Sequence, residues 1–140
     1  MEKLNNLFKE KNDLLSVYFT AGYPKLESTG PVLEALEAGG ADFVEIGMPY
    51  SDPLADGPVI QDSSTRALEN GMSLKVLFDQ LQNITSRVRM PLILMGYLNP
   101  IEQMGYQAFA REAAASGADA VLTVDLPPEE GHELVTALTE

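Results

Sequence analysis

Four short apolar runs limit most strongly what this sequence can fold into. They cover residues 14–20, 42–46, 91–97 and 120–125. Each run is nearly continuous rather than alternating, which is typical of strands buried on both faces of a parallel sheet. We therefore predict four parallel strands within a single α/β domain that spans residues 1–140.

Helical patterns separate these runs. A stripe at Val32, Leu33 and Leu36 stops at Gly39-Gly40, and Pro31 fits if it lies in the first turn of that helix. Further helices are predicted at residues 4–9, 64–69, 74–81, 109–114 and 129–138. Strands alternating with helices imply right-handed βαβ units. The pattern alone leaves both an open flavodoxin-like sheet and part of a TIM barrel possible, although no glycine-rich phosphate loop follows the first run.

The charge of the chain bears on its partners. Nine basic and 21 acidic residues give a formal net charge of -12. Such a field repels phosphate backbones and anionic lipid surfaces, so neither a nucleic acid nor a membrane is an expected partner. The chain has no cysteine, which excludes disulfides and thiol chemistry. We expect a cytoplasmic protein without a signal peptide, and we expect the single histidine, His132, to be exposed.

The most informative stretch begins at the second run. Glu45 is a carboxylate inside an apolar strand, where burial is costly unless the group has partners or transfers protons. A loop rich in proline and glycine follows, and it is long enough to fold Asp56 back over the strand end. Two carboxylates in different surroundings can divide acid-base work. Glu45 can equally be a structural acid, and Asp52 and Asp56 can be turn formers. The spacing of these aspartates and Asp62 fits no cation loop, so no metal site is predicted.

The motif in this loop carries a resemblance to a known family. The run Glu45-Ile46-Gly47, followed by the residues 49–61 (PYSDPLADGPVIQ), is similar to the signature of tryptophan synthase alpha subunits. Supporting segments are residues 20–24 (TAGYP), 95–100 (MGYLNP) and 124–127 (VDLP). The resemblance covers essentially the whole chain. It implies a TIM (β/α)8 barrel, of which this chain supplies roughly the first four βα units.

The resemblance also implies a reaction and its residues. Members of the family cleave indole-3-glycerol phosphate to indole and glyceraldehyde 3-phosphate, so the chain is expected to be a carbon-carbon lyase of tryptophan biosynthesis. Glu45 matches the general acid/base. Asp56 matches the carboxylate that holds the indole N–H and stabilises positive charge on the ring. Apolar walls for the ring are expected at the strand ends, from Tyr18, Met95, Tyr97, Leu122 and Val124.

The resemblance implies a partner but no cofactor in this chain. The expected partner is the tryptophan synthase beta subunit, in an alpha2beta2 heterotetramer, and pyridoxal phosphate is expected only in that subunit. The residues expected to face the partner are Pro49, Ser51, Asp52, Pro53, Asn99 and Pro100.

The family barrel continues through four more strands, and its phosphate-binding loops lie in that second half. Three alternatives therefore stay open. The chain can be a fragment of a full subunit, it can pair with a second copy to close a barrel, or it can be a non-catalytic module that binds a partner. Another indole- or phosphosugar-processing barrel is a further alternative, against which the residues 49–61 argue.

Overall fold

The four predicted strands form one parallel sheet. The computed structural model describes residues 2–140, and its strands lie side by side in chain order. Their bounds are β1 Ser16–Thr20, β2 Phe43–Gly47, β3 Leu92–Gly96 and β4 Ala120–Thr123. All four predictions are confirmed, with ends that differ by one or two residues, as strand ends commonly do. The first and last strands, β1 and β4, form the two edges of the sheet.

Seven α-helices connect and flank the strands within residues 2–140. They are α1 Glu2–Glu10, α2 Thr29–Ala38, α3 Pro58–Glu69, α4 Leu74–Ile84, α5 Leu98–Met104, α6 Tyr106–Ala115 and α7 His132–Thr139. Pro31 lies in the first turn of α2, as predicted. None of these described helices combines the length and the apolar character needed to cross a bilayer.

One helix prediction began too late, and one helix was missed. The helix predicted at residues 64–69 begins at Pro58, because a proline at the first helical position starts the helix ahead of any apolar stripe. The helix α5 was not predicted at all. It begins directly after β3, and Pro100 in its first turn interrupts the usual helical pattern without breaking the helix.

The two faces of the sheet are covered unequally. On the outer face, Val44, Ile46 and Leu94 are fully buried beneath the helices. On the other face, the strand register places Tyr18 opposite Glu45. Glu45 in turn lies opposite Ile93, and Met95 lies opposite Leu122. We call this second face the inner face. Several of its side chains are only partly covered, and this one-sided layering is the geometry of consecutive βα units in a barrel wall.

The helix layer has its own aromatic contact. Phe78 on α4 and Phe109 on α6 are buried, with ring centroids 5.7 Å apart in an edge-to-face arrangement. Full burial of side chains of this size stabilises a fold by about 1.5–3 kcal/mol each. This contact helps hold the helices against the outer face, which leaves the inner face free to carry polar groups.

Candidate active site

Glu45 projects from the middle of β2 onto the inner face. Its Oε1 atom accepts a hydrogen bond from the Ser16 hydroxyl at 2.9 Å. Glu45 is partly buried rather than fully buried as its apolar strand suggested. Within residues 2–140, Ser16 is the one hydrogen-bond donor to this carboxylate, which retains access to solvent or to a ligand.

Asp56 lies at the carboxyl ends of the strands, where the preceding loop folds back over them as predicted. Its backbone N–H donates to the carbonyl of Pro53 at 3.0 Å. Its own carbonyl accepts from the Gln61 side chain at 2.9 Å. Its carboxylate Oδ2 atom accepts from the Tyr97 hydroxyl at 3.0 Å. These bonds hold both the backbone and the side chain of Asp56.

Tyr97 follows β3 and connects to the loop through its hydroxyl. The Tyr97 Oη atom accepts the Ala55 N–H at 2.9 Å and donates to Asp56. The ring is 6% exposed, and its centroid lies 5.3 Å from that of Tyr50. Burial is the main cause that raises the pKa of the Tyr97 phenol. The Ala55 N–H lowers this pKa, and the hydrogen bond to the Asp56 carboxylate raises it further.

Tyr18 is a second phenol near Asp56. Burial raises the pKa of Tyr18, the Thr20 hydroxyl lowers it, and the charge of Asp56 raises it. The ring lies directly over Gly47 of the neighbouring strand, where an added Cβ atom would stand 2.6 Å from the Tyr18 Cζ atom. Gly47 is therefore required by this close approach and not by an unusual backbone angle.

These groups meet around a small cavity. Its lining includes Asp56 and four of the five predicted ring-wall residues, which are Tyr18, Met95, Tyr97 and Val124. The fifth, Leu122, lies on the inner face opposite Met95 and is 40% exposed. The cavity measures about 20 Å³, enough for a water molecule but not for an indole ring. A ring would have to lie against the open inner face, where Glu45 also projects.

The sequence prediction missed several residues of this cavity, among them Tyr50 and Ser64. Ser64 on α3 accepts the backbone N–H of Tyr50 at 3.0 Å and donates to its carbonyl at 3.1 Å. The Ser63 hydroxyl meets that of Thr20 at 2.7 Å. Two adjacent buried serines were the available signal, one bonded to the loop and one to the end of β1, but the late start predicted for α3 concealed this arrangement.

Most of the residues expected to face a partner share one surface groove. Five of the six line it, namely Pro49, Ser51, Asp52, Asn99 and Pro100. The groove has a volume of about 420 Å³ and also contacts Leu68 and Gln103. The sixth residue, Pro53, lines the small cavity instead.

The remaining acidic and basic groups show no further cluster of this kind. Across the described residues, 2–140, no group of three or more histidine or acidic side chains lies close enough together to hold a metal ion. Asp62 forms an ion pair with Arg66 at 2.9 Å on the surface of α3. His132 is exposed at the start of α7, as predicted.

Comparison with known proteins gives a consistent result. The sequence model of the family described as tryptophan synthase alpha chain matches residues 4–140. A tryptophan synthase alpha chain from Phocaeicola vulgatus is 50% identical over 141 residues, which cover 100% of this chain and 55% of the relative. One from Parabacteroides distasonis is 54% identical over 128 residues, which cover 91% of this chain and 50% of the relative.

Solved structures agree with the sequence comparisons. The tryptophan synthase subunit alpha from Legionella pneumophila str. Paris superimposes with a TM-score of 0.92 at 41% identity, covering 99% of this chain and 53% of that one. A tryptophan synthase complex from Pyrococcus furiosus gives a TM-score of 0.85 at 41% identity, covering 92% of this chain and 53% of that one. The chain thus spans about half the length of the relatives that it matches.

Proposed function

The chain belongs to the tryptophan synthase alpha chain family, and on that premise we propose that it carries the acid-base carboxylates of an indole-3-glycerol phosphate lyase. The predicted fold class is confirmed by the solved relatives: the chain forms four βα units of a TIM barrel. The proposed reaction is a retro-aldol cleavage of indole-3-glycerol phosphate to indole and glyceraldehyde 3-phosphate in tryptophan biosynthesis.

One observation carries the proposal. The loop after β2 brings the Asp56 carboxylate to the strand ends, beside apolar and aromatic side chains, while Glu45 projects from β2 onto the inner face. Active sites of barrels of this class lie at the carboxyl ends of the strands. A flat ring held at these strand ends would have the Asp56 carboxylate at its edge. The Glu45 carboxylate would approach it from the wall of the barrel.

Glu45 is proposed as the general acid and base. The carbon-carbon bond breaks only after the indole ring is protonated at its C3 carbon, and a proton must also leave the hydroxyl next to that bond. A carboxyl group that can give and accept protons suits both steps. Among the described residues, Ser16 donates the one hydrogen bond to Glu45, so the second carboxylate oxygen is available for this exchange.

Asp56 is proposed to hold the indole N–H. Protonation at C3 places positive charge on the ring nitrogen, and a fixed anion beside that nitrogen stabilises the charge as it develops. The Asp56 Oδ2 atom is bonded to Tyr97. Within the described part of the chain, no hydrogen bond involves the Oδ1 atom, which can therefore accept from the ring N–H.

The ring itself needs apolar walls, for which we propose the predicted residues at the strand ends. Met95 and Leu122 are register partners on adjacent strands and lie side by side on the inner face. Tyr18, Tyr97 and Val124 lie around the small cavity beside Asp56. The proposed cleavage requires no cofactor in this chain.

The proposal includes a partner and a location. The surface groove that contains Ser51, Asp52 and Asn99 is the proposed contact with a tryptophan synthase beta subunit in an alpha2beta2 complex. Two of the solved structures similar to this chain are of the tryptophan synthase complex from Pyrococcus furiosus. We also propose a cytoplasmic location, which suits the proposed role in amino-acid biosynthesis.

The same groove favours one alternative function, a module that binds the beta subunit without catalysing cleavage. Both functions predict binding to the beta subunit. Only the lyase predicts that indole is released and that the release depends on the two carboxylates.

An activity assay tests the proposal. The chain is mixed with the separately produced second half of the Phocaeicola vulgatus relative, and indole release from indole-3-glycerol phosphate is measured with and without the beta subunit. Asp56→Asn should slow the release roughly 100-fold, because a neutral amide stabilises a ring cation poorly. Asp62→Asn, on the surface of α3, serves as the matched control and should leave the rate unchanged. Equal rates in the two variants would contradict the proposed role of Asp56.

A further inference from the structure

The Tyr97 hydroxyl makes two hydrogen bonds of opposite direction to adjacent residues of the loop. It accepts the Ala55 N–H at 2.9 Å and donates its own proton to the Asp56 Oδ2 atom at 3.0 Å. A phenol can donate one hydrogen bond and accept another, so both capacities of this hydroxyl are used. The ring is buried, which limits the directions in which the hydroxyl can point.

These bonds connect two different βα units. The backbone of the loop is otherwise held by its own turns and by the neighbouring helix α3, through Ser64 at Tyr50 and through Gln61 at Asp56. None of those contacts involves the Asp56 carboxylate. Within residues 2–140, the hydrogen bond from Tyr97 is the one made to that carboxylate, and it comes from the segment after β3.

We propose that Tyr97 is a positioning residue that fixes the Asp56 carboxylate, so that the Oδ2 atom is occupied and the Oδ1 atom is presented to the substrate N–H. A phenylalanine at this position would fill the same space but would leave the Ala55 N–H without its acceptor and the carboxylate without its donor. The hydrogen bond between Tyr97 and Asp56 is observed in the structure, whereas its consequence for substrate binding rests on the proposed function of Asp56.

Titration of the tyrosines in the 140-residue chain tests the hydrogen bond between Tyr97 and Asp56 directly. The ring carbons are labelled, and the Tyr97 signal is identified by its loss in Tyr97→Phe. In Asp56→Asn, the titration midpoint of Tyr97 should fall toward the ordinary tyrosine value, because the acceptor carboxylate that raises it is gone. An unchanged midpoint of Tyr97 in Asp56→Asn would overturn the proposal.

The chain offers a matched control pair. The Tyr106 hydroxyl donates to a Glu102 carboxylate oxygen at 2.8 Å on the exposed surface of α5 and α6, and this contact raises the pKa of Tyr106. The midpoint of Tyr106 should fall in Glu102→Gln and stay unchanged in Asp56→Asn. If the midpoints of Tyr97 and Tyr106 both fell in Asp56→Asn, the variant would have lost structure generally. That result would overturn a specific bond between Tyr97 and Asp56.

A binding comparison tests the consequence for the substrate. The probes are indole and benzofuran, which have nearly the same shape, although only indole carries an N–H donor. The wild-type chain should bind indole more tightly than benzofuran, and Tyr97→Phe should reduce this preference roughly threefold to tenfold. Tyr106→Phe should leave the preference intact. If Tyr97 acted only through packing, Tyr97→Phe would weaken the binding of indole and of benzofuran equally.

The titration and the binding comparison together distinguish a failure of the positioning role of Tyr97 from a failure of the proposed function of Asp56. An unaltered preference for indole in Tyr97→Phe would overturn the positioning role. A wild-type chain that shows no preference for indole would contradict the proposed function of Asp56, while the titration would still decide whether Tyr97 fixes the carboxylate.

Discussion

The two carboxylates of the candidate site, Glu45 and Asp56, differ in what surrounds them. Glu45 accepts one hydrogen bond from the Ser16 hydroxyl in the middle of the sheet. Asp56 accepts from a buried phenol at the strand ends. Carboxylates in different surroundings can take different roles in one reaction, one exchanging protons and the other remaining charged.

At the same scale, Gly47 makes room for the Tyr18 ring. In Gly47→Ala, the new methyl group would overlap that ring, and such overpacking destabilises folds by about 1–3 kcal/mol. Gly30→Ala is the control, because its added carbon would make an ordinary contact at 3.5 Å with Ile84. Urea unfolding should show a loss of stability only for Gly47→Ala. Introducing Gly47→Ala into Tyr18→Ala should cost much less, and an equal cost would contradict the proposed overlap.

Asp42 provides a prediction about pH. The Lys11 ammonium, followed by the Leu15 N–H at 2.8 Å, holds the pKa of the Asp42 carboxyl below its usual range. A lowered pKa in the folded state means that the unfolded chain binds the proton more readily. The stabilisation is therefore present above the unfolded pKa of about 4 and is lost as pH falls below it.

This sign can be measured by denaturant unfolding across pH. Asp42→Asn should be less stable than wild type at pH 7, and the difference should shrink as pH falls from about 4. Asp79→Asn, an exposed change on α4, should show no such trend. A difference between Asp42→Asn and wild type that persists unchanged at pH 2 would argue against the ion pair.

At the scale of single residues, sequence reasoning identified the carboxylates but not their partners. The length of the loop after β2 was enough to predict that Asp56 folds back over the strand end. The bond between Asp56 and Tyr97 joins residues 41 positions apart, and it depends on where β3 ends relative to β2. Local patterns do not contain that information.

At the scale of elements, the strands were easier to predict than the helices. The strands of parallel sheets carry near-continuous apolar runs, and such runs are visible in the sequence. By contrast, α3 begins with Pro58, and its first turn is mostly exposed. Its start therefore shows no apolar periodicity. The short helix α5 was hidden for a similar reason, since Pro100 occupies its first turn.

The helix α4 provides a prediction at this scale. The Ser73 hydroxyl accepts the Val76 N–H at 3.3 Å and caps the amino end of the helix. Ser73→Ala should lower the free energy of unfolding by about 1 kcal/mol, because that N–H loses its acceptor. Ser86→Ala, at an exposed site beyond the end of α4, is the control. Equal unfolding midpoints for the two variants would show that the cap contributes nothing.

At the scale of the whole molecule, the sheet has two edges and an open inner face. β1 and β4 each have a neighbour on one side only, and edge strands of this kind readily pair with further strands. The relatives are about twice as long as this chain and include the tryptophan synthase subunit alpha of solved structure. A second half barrel that pairs with both edges would enclose the inner face and exclude water from Glu45 and Asp56.

We propose that Glu45 transfers the protons of the cleavage. The most direct test of this role is the rate of indole release from indole-3-glycerol phosphate by the chain mixed with the second half of the Phocaeicola vulgatus relative. Glu45→Gln is compared with the exposed control Glu69→Gln. We predict that Glu45→Gln lowers the rate roughly 100-fold to 10,000-fold while the control keeps it. Release by Glu45→Gln at the wild-type rate, or no release from a wild-type mixture that has assembled, would contradict the claim.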